Sequence, residues 1–553
     1  MSVVFKKFLS KFFFKGYGYK FYPKKFKKKI RFKFFFLKAL PTPKKNRINI
    51  NKKKFKIYLP SKKLFVKQEK IWSIDNLKDR EDFSYLNRWT WAIDLFQNKK
   101  KITNKNINFV EKTIFDWCVL NSSKKISKEN TIFEPYNISE RICNYIILVK
   151  NKIISPNAYV LSSLEKQCEY LISNIEIYYG KNSNHALNNL RAIFLYSSYV
   201  DNKNISNYSS NFIIFILKKY IDKDGFFKFG SSYYQLIFTR WLSDILFSFK
   251  KKHQINYKKI ENFYTKSLKA SVFFHKSGKN FLFPNFGNIS PDINSKWLNN
   301  FFTNKNSVFK KYETKALKIS YKKKIKSREW FRLENKNWTL FCRNPKKTSF
   351  NFTHSHNDFF HYVLYYKNSP VVVDNGRDNY SSKSLKFFSS GSSHNSFTVN
   401  NNLILDEYLS YSLKSKFGLN NLSKCNYNVN SNYKNKLFIT YNYKNFSLKR
   451  NITLLKKSVI IKNFISFPKL IELSMRTNFH PEILIDKNER KELNITLPNK
   501  TKLRIINNLT DCELKVKNSL FCSDYGNVKK SKSIDIIAKN IKEKMSLFLE
   551  IKI

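Results

Sequence analysis

Two regimes of apolar spacing divide the chain. From about Asp82 to Asn300 apolar residues recur at i, i+3, i+4 and i+7, as in ISERICNYIILVKNKI, Ile138 to Ile153. The same period runs through AYVLSSLEKQCEYLISNIEIYY, ALNNLRAIFLYSSYV, NFIIFILKKYI and YYQLIFTRWLSDILFSF. The breaks between these runs are short and rich in Asn, Ser, Lys and Gly. Serial amphipathic helices with short connections predict paired antiparallel helices, either a bundle or an α/α toroid. After about Lys315 the runs shorten and become β-branched and aromatic: KALKISYK, WTLFCRN, FHYVLYYK, PVVVDNG, SFTVNNNLIL, KLFITYNYK, LKRNITLLKKSVIIKNFI and KLRIINNL. These predict an antiparallel β-sandwich. The chain therefore reads as α+β and multidomain: a leader over 1–80, a helical domain over 81–310 and a β domain over 311–553. A cleft between the last two is the default place for a ligand.

Composition adds a strong charge. The chain has 104 Lys+Arg against 39 Asp+Glu, a net charge of +65 over 553 residues. It is crowded with Lys, Asn, Ile, Phe and Tyr, whose codons are AT-rich, so the charge has two readings, codon bias or a polyanion partner such as nucleic acid, anionic lipid or an acidic polysaccharide. The field exists whatever its origin, and it attracts anionic polymers. No acidic residue precedes Glu69, and the leader alternates Lys with Phe and Tyr. It is a poor signal peptide and a candidate for contact with an anionic membrane surface. The 7 cysteines are widely spaced with no CxxC, which argues against a disulfide framework and against a thiolate zinc site. No apolar run is long enough to predict a transmembrane helix.

The candidate chemistry lies in polar interruptions. HSHNDFFH, His354 to His361, follows one strand-like run and precedes another. On a strand, His354 and His356 would share a face, available to one metal or to one metal and one acid/base role. His361 falls on the other parity and has no chemistry assigned, while Asp358 is expected as a supporting hydrogen-bond partner. Asp374 ends the apolar run VVVDNG, where a carboxylate needs a partner. SSHNS presents His394 just before another strand. His356, Asp374 and His394 together would make a two-His, one-carboxylate zinc site. In the helical half, Asn184 and His185 open one helix, where Asn184 would also suit an N-cap. Tyr233 and Tyr234 open another helix after a Gly-Ser-Ser turn.

In this order the pieces resemble the heparinase II/III-like polysaccharide lyases. NSNHALNNL is similar to that family's Asn-Asn-His-x-x-x-Asn segment, GSSYYQL to its Gly-Ser-x-x-Tyr, HSHND to its His-x-His-x-Asp, DNG to its Asp-Pro-Gly and SSHNS to its Ser-x-His-Asn. RTNFHPEIL is similar to a Phe-x-x-His-Pro stretch. The resemblance implies an N-terminal α/α toroid followed by a C-terminal antiparallel β-sandwich. It implies β-elimination on a uronic-acid-containing polysaccharide, with Tyr234 and His354 as the proton-transfer pair. Asn184 and His185 would bind the uronate carboxylate, Tyr380 would add to the sugar site, and His356, Asp374 and His394 would hold a structural zinc. It also makes a periplasmic or extracellular location the expectation.

Three positions depart from the family pattern: Phe229 stands where many members carry Glu, Gln235 where His often follows the tyrosine, and no Arg precedes SSHNS. These bear on substrate preference. The expected partner is an acidic polysaccharide. A noncatalytic acidic-glycan-binding protein on the same scaffold is the alternative. No specific nucleic-acid partner is expected, since only the charge favours one. Hydrolysis fits poorly without paired carboxylates flanking a site.

Overall fold

Helical spacing produces helices throughout the first half. In the computed structural model, residues 48–51, 54–57, 59–61, 72, 77, 79–97, 103–127, 129–177, 183–250, 254–275, 282–293, 329–343, 354–356, 358, 360–379, 387–399, 426–433, 435–443, 446–466, 472–489, 491–507, 512–539 and 544–553 are described. Among them, the helices are α1 (Arg80–Asn87), α2 (Thr90–Gln97), α3 (Asn104–Leu120), α4 (Pro135–Lys150), α5 (Ala158–Ser173), α6 (Ser183–Tyr199), α7 (Lys203–Tyr220), α8 (Ser232–Ser248) and α9 (Ile255–Val272). Side chains of Asp79, Thr103, Asn157 and Asn202 cap the starts of α1, α3, α5 and α7 by accepting from first-turn N–H groups. α4 packs against α6, and α6 against α7. Helix α4 is buried on almost every face, so its Arg141 must be satisfied inside the protein. Its guanidinium donates to the Asn87 and Ile132 carbonyls and to Gln167 Oε1 at 2.7, 2.6 and 2.6 Å, and lies 4.0 Å over the Trp117 ring. Burial pulls its pKa down to about 9.

The leader is mostly outside the described residues. Within it lies a short antiparallel pair, β1 (Ile48–Asn51) and β2 (Lys54–Ile57), which its alternating Lys and aromatic residues do not reveal.

The second half is antiparallel sheet, as its short apolar runs predict. The strands are β3 (Trp330–Glu334), β4 (Trp338–Arg343), β5 (Tyr362–Tyr366), β6 (Ser369–Val372), β7 (Phe397–Val399), β8 (Asn426–Tyr433), β9 (Lys436–Tyr443), β10 (Phe446–Leu454) and β11 (Ser458–Ser466). They continue with β12 (Glu472–Asn478), β13 (Leu484–Asn488), β14 (Glu492–Thr496), β15 (Lys502–Ile506), β16 (Cys512–Phe521), β17 (Lys529–Lys539) and β18 (Lys544–Lys552). One sheet has the order β13-β14-β15-β18-β11-β10-β9-β8, a second β16-β17-β12-β7 and a third β3-β4-β5-β6. LKRNITLLKKSVIIKNFI is not one strand but the β10–β11 hairpin. KALKISYK lies outside the described residues. Alternation along these strands sends one face inward, and Leu340, Leu364, Ile439, Ile461, Met475, Ile536 and Leu549 belong to one continuous apolar core.

The described residues divide into two compact units. One holds those up to Lys228 together with Gln235–Val272 and 291–293; the other holds Phe229–Tyr234, Phe273–Ser290 and the described residues from 329 on. The sheet unit thus includes 229–234 and 273–290, which lie inside the 81–310 span. These segments are bound to it by specific contacts: Arg332 donates to the Phe273 and His275 carbonyls at 2.9 Å each, and Tyr365 to the Leu282 carbonyl at 2.8 Å.

Arg450 of β10 ties loops to this core. It is fully buried, and its guanidinium donates to the Phe360 carbonyl, to the Asn395 carbonyl at 3.0 Å and to Asn463 Oδ1 at 2.6 Å. Burial lowers its pKa to about 10. Arg450→Leu leaves these acceptors without a donor, and each such buried group costs roughly 1–3 kcal/mol. A loss of at least about 2 kcal/mol in urea unfolding is expected.

Candidate active site and metal centre

The histidine-rich segment is not a strand. Its described residues form turn and irregular backbone from His354 to His361, and β5 begins only at Tyr362. Phe360 takes φ +58, a left-handed conformation that breaks any strand parity. The expectation that His354 and His356 share one face, and that His361 points elsewhere, therefore fails. The rings separate differently: His354 lies against Tyr234, while His356 and His361 both approach His394, at ring-centroid distances of 5.2 and 5.1 Å.

Tyr234 sits in the first turn of α8, whose start is held from the side. Ser231 Oγ accepts from the Tyr234 N–H at 3.2 Å and donates to the Asn288 carbonyl at 2.8 Å. Ser232 Oγ donates to the Pro284 carbonyl and accepts from the Phe286 N–H, at 2.7 and 2.9 Å. The Tyr234 and His354 rings stack, 3.6 Å between centroids and 16° between planes, with both side chains buried. This contact is a face-to-face stack.

The carbonyl of His354 accepts from the Asn288 N–H at 2.9 Å. Gly287 makes that approach possible: at φ +72, a Cβ there would lie 2.3 Å from the His354 carbonyl oxygen. Asn288 also spans two histidines. Its Oδ1 is 2.7 Å from His356 Nε2, and its Nδ2 is 3.5 Å from His354 Nδ1.

His356, Asp374 and His394, chosen from sequence as a triad, converge. One ligand atom from each lies within 4.8 Å of the others, and all three residues are buried. Asp374 Oδ1 accepts from the Gly376 N–H at 2.6 Å. Its Oδ2 lies 3.3 Å from His394 Nδ1 and 3.0 Å from His361 Nε2. Neither approach has hydrogen-bond alignment, so Asp374 Oδ2, His361 Nε2 and both His394 ring nitrogens are buried without a hydrogen-bond partner, as is His356 Nδ1. Buried polar atoms of this kind call for a further partner such as an ion. Two imidazoles and a carboxylate suit zinc, whose tetrahedral shell has ligand–ligand edges of roughly 3.3 Å. The residues fit that ion with an inward shift of their ligand atoms.

The electrostatics keep Asp374 an anion at the centre of this cluster. Burial would raise the Asp374 pKa, but His394 and His361 hold it well below the usual carboxylate range. Burial, reinforced by His394, pushes His356 well below its ordinary value, so it presents a neutral imidazole. Burial would also lower His394, yet the Asp374 carboxylate outweighs it and the pKa rises. His361 is lowered, burial prevailing over the same carboxylate.

His361 is the residue that sequence reasoning passed over. Its Nδ1 accepts from the Asn395 N–H at 3.0 Å, so in the neutral ring the proton sits on Nε2, beside Asp374. Asn288 was missed as well, since NFGNIS carries no signal that separates it from an ordinary turn. Asp358 does support the segment, through a buried pair with Arg343 Nη1 at 2.9 and 3.1 Å. Arg343 Nη2 reaches Ser355 Oγ at 3.1 Å.

Asn184 and His185 belong to the helical unit. Asn184 lies within α6 and not at its cap, and is buried. His185 Nδ1 is 3.0 Å from Glu176 Oε1, and its ring lies 4.7 Å from that of Tyr136. Tyr380 lies outside the described residues.

Comparison with known proteins bears on the fold that carries these residues. Residues 321–547 match the family model described as Heparinase II/III-like, C-terminal. No curated protein sequence matches the chain. Among solved structures the chain is similar to Heparinase III, with a TM-score of 0.65 and 15% identity over 87% of this chain and 78% of that one. It is also similar to a heparan sulfate lyase HepC mutant from Pedobacter heparinus, with a TM-score of 0.56 and 16% identity over 88% of this chain and 79% of that one. At such identities the likeness is one of fold: a helical region followed by antiparallel sheets.

Gly287→Ala tests the close approach. The added methyl group meets the His354 carbonyl at a backbone angle L residues avoid, so stability should fall by more than about 1 kcal/mol. Thermal unfolding reads this loss, and the Tyr234–His354 stack should loosen with it, seen as a changed near-ultraviolet circular dichroism.

Proposed function

We propose that the chain, whose residues 321–547 match the family model described as Heparinase II/III-like, C-terminal, cleaves a uronic-acid-containing acidic polysaccharide by β-elimination. The observation that carries this reading is the stacked Tyr234–His354 pair, beside a buried two-His, one-carboxylate cluster that lies within the matched residues 321–547. The finer architecture we propose is an α/α toroid followed by a β-sandwich.

The chemistry assigns each residue a task. The C5 proton of a uronate is weakly acidic, and its removal places negative charge on the carboxylate. Asn184 and His185 are the proposed donors that stabilise this enolate. Tyr234 and His354 move the protons: one group takes the C5 proton and one protonates O4 as the C4–O4 bond breaks and C4=C5 forms. Tyrosine is a weak base near its ordinary pKa of about 10, so this role needs its phenolate to be stabilised in the site. Tyr380 is proposed to contact the sugar. His356, Asp374 and His394 would hold zinc, which supplies fixed positive charge that ties the His354–His356 segment to Asp374. The substrate class is a glycosaminoglycan or an alginate-like uronate polymer. Because such polymers are extracellular, a periplasmic or extracellular location is proposed, and the basic leader is a candidate membrane-surface contact.

The net charge of +65 also favours a second reading, noncatalytic binding of acidic glycans. Heparan sulfate and a panel of other uronate polysaccharides separate the two. The lyase reading expects unsaturated product absorbing in the near ultraviolet. Tyr234→Phe and His354→Ala should each lower kcat by about 10²–10⁴-fold while leaving binding intact. A folded, zinc-loaded protein silent across the panel would defeat the lyase reading and leave the binding one. Zinc has its own check. Free zinc at 100 times Kd should stabilise the fold by about 2.7 kcal/mol, chelation should reverse this, and His394→Ala should abolish it.

A further inference from the structure

A neutral imidazole has one N–H and one lone pair, so whatever touches one nitrogen decides what the other can do. Asn288 touches two imidazoles with chemically opposite atoms. Its Oδ1, an acceptor only, faces His356 Nε2 at 2.7 Å, and its Nδ2, a donor only, faces His354 Nδ1 at 3.5 Å. The proton of His356 must then be on Nε2, leaving a lone pair on Nδ1, which is buried and has no hydrogen-bond partner. The proton of His354 must be on Nε2, because Nδ1 is offered a donor. Turning the amide over would reverse both assignments and would place a proton on His356 Nδ1, where a metal needs the lone pair.

The same residue controls backbone position. The Asn288 N–H donates to the His354 carbonyl at 2.9 Å, and its own carbonyl accepts from Ser231, the side chain that holds the Tyr234 N–H. We infer that Asn288 is a positioning residue that sets the tautomers of His354 and His356 together, so that the metal ligand and the proton carrier are configured by one amide.

The kcat arm of the test rests on the lyase reading; the zinc and spectroscopic arms do not. Two variants of the full chain separate positioning from bulk structure. Asn288→Ala removes both contacts. Asn288→Asp keeps an acceptor for His356 but replaces the donor to His354 with another acceptor. By chelator competition, Asn288→Ala should weaken zinc binding about 10–100-fold, whereas Asn288→Asp should hold it within about threefold, since the His356 Nε2–H keeps its acceptor. In 15N-histidine spectra of the zinc-loaded protein, Asn288→Asp should move the His354 proton from Nε2 to Nδ1. Both variants should lose roughly 10²-fold in kcat with little change in KM, the scale of a misplaced reacting group.

Equal zinc affinity in wild type and Asn288→Ala would overturn the inference, as would a wild-type chain that binds no zinc. Equal zinc losses in both variants, or an unmoved His354 proton in Asn288→Asp, would do the same. Should Asn288→Ala fail to fold, Asn288→Asp decides alone through zinc retention and the proton shift. A wild-type chain without turnover would count against the lyase reading and leave the zinc and spectroscopic arms in force.

Discussion

Asp374 is a carboxylate held at 3% exposure, and the sheet unit is arranged around the need to keep it charged there. An isolated buried carboxylate would take up a proton. Here the Gly376 N–H meets one oxygen, and His361 and His394 crowd the other. His361 is fixed in turn by backbone: the Asn395 N–H donates to its ring, and the Asn395 side chain donates to the Tyr362 and Val373 carbonyls at 2.7 and 2.9 Å. Arg450 of β10 then donates to the Phe360 and Asn395 carbonyls. A single anion thus accounts for a chain of contacts running from a loop to the centre of the core.

The helices and most strands were legible because their apolar periods report burial directly. The helical runs fall on α4 to α8, and PVVVDNG gave β6 with Asp374 just beyond its end. The triad was legible for a different reason: His, Asp and His are types that a core excludes unless they have a task. HSHNDFFH misled because alternation of polar and apolar types resembles a strand, whereas the segment is shaped by contacts to Arg343 and Asn288, remote in sequence. His361 and Asn288 were invisible for that reason. Their roles come from tertiary neighbours, and neither type at those positions is unusual on its own.

Two buried arginines, Arg141 and Arg450, are satisfied by carbonyl and amide oxygens with no carboxylate among those contacts. The chain's net charge of +65 sets up a long-range field. These two instead use the guanidinium fork as a many-armed donor that joins backbone segments distant in sequence. Lysine, a point donor on a flexible stem, would not hold three acceptors in those directions.

The segments 229–234 and 273–290 belong with the sheets although most of the chain around them is helical. They bring Tyr234 and Asn288 into the unit that holds the histidines, and they receive the donors of Arg332 and Tyr365. Cutting the chain near residue 311, where the residue pattern changes, would yield a fragment carrying the whole metal cluster but neither its tyrosine nor its bridging amide. The hydrogen-bond partners of Arg332 and Tyr365 would go with them. The β half is therefore discontinuous as a folding and engineering unit: a faithful excision must carry two short pieces of the preceding sequence, and a fusion or permutation point must fall outside them.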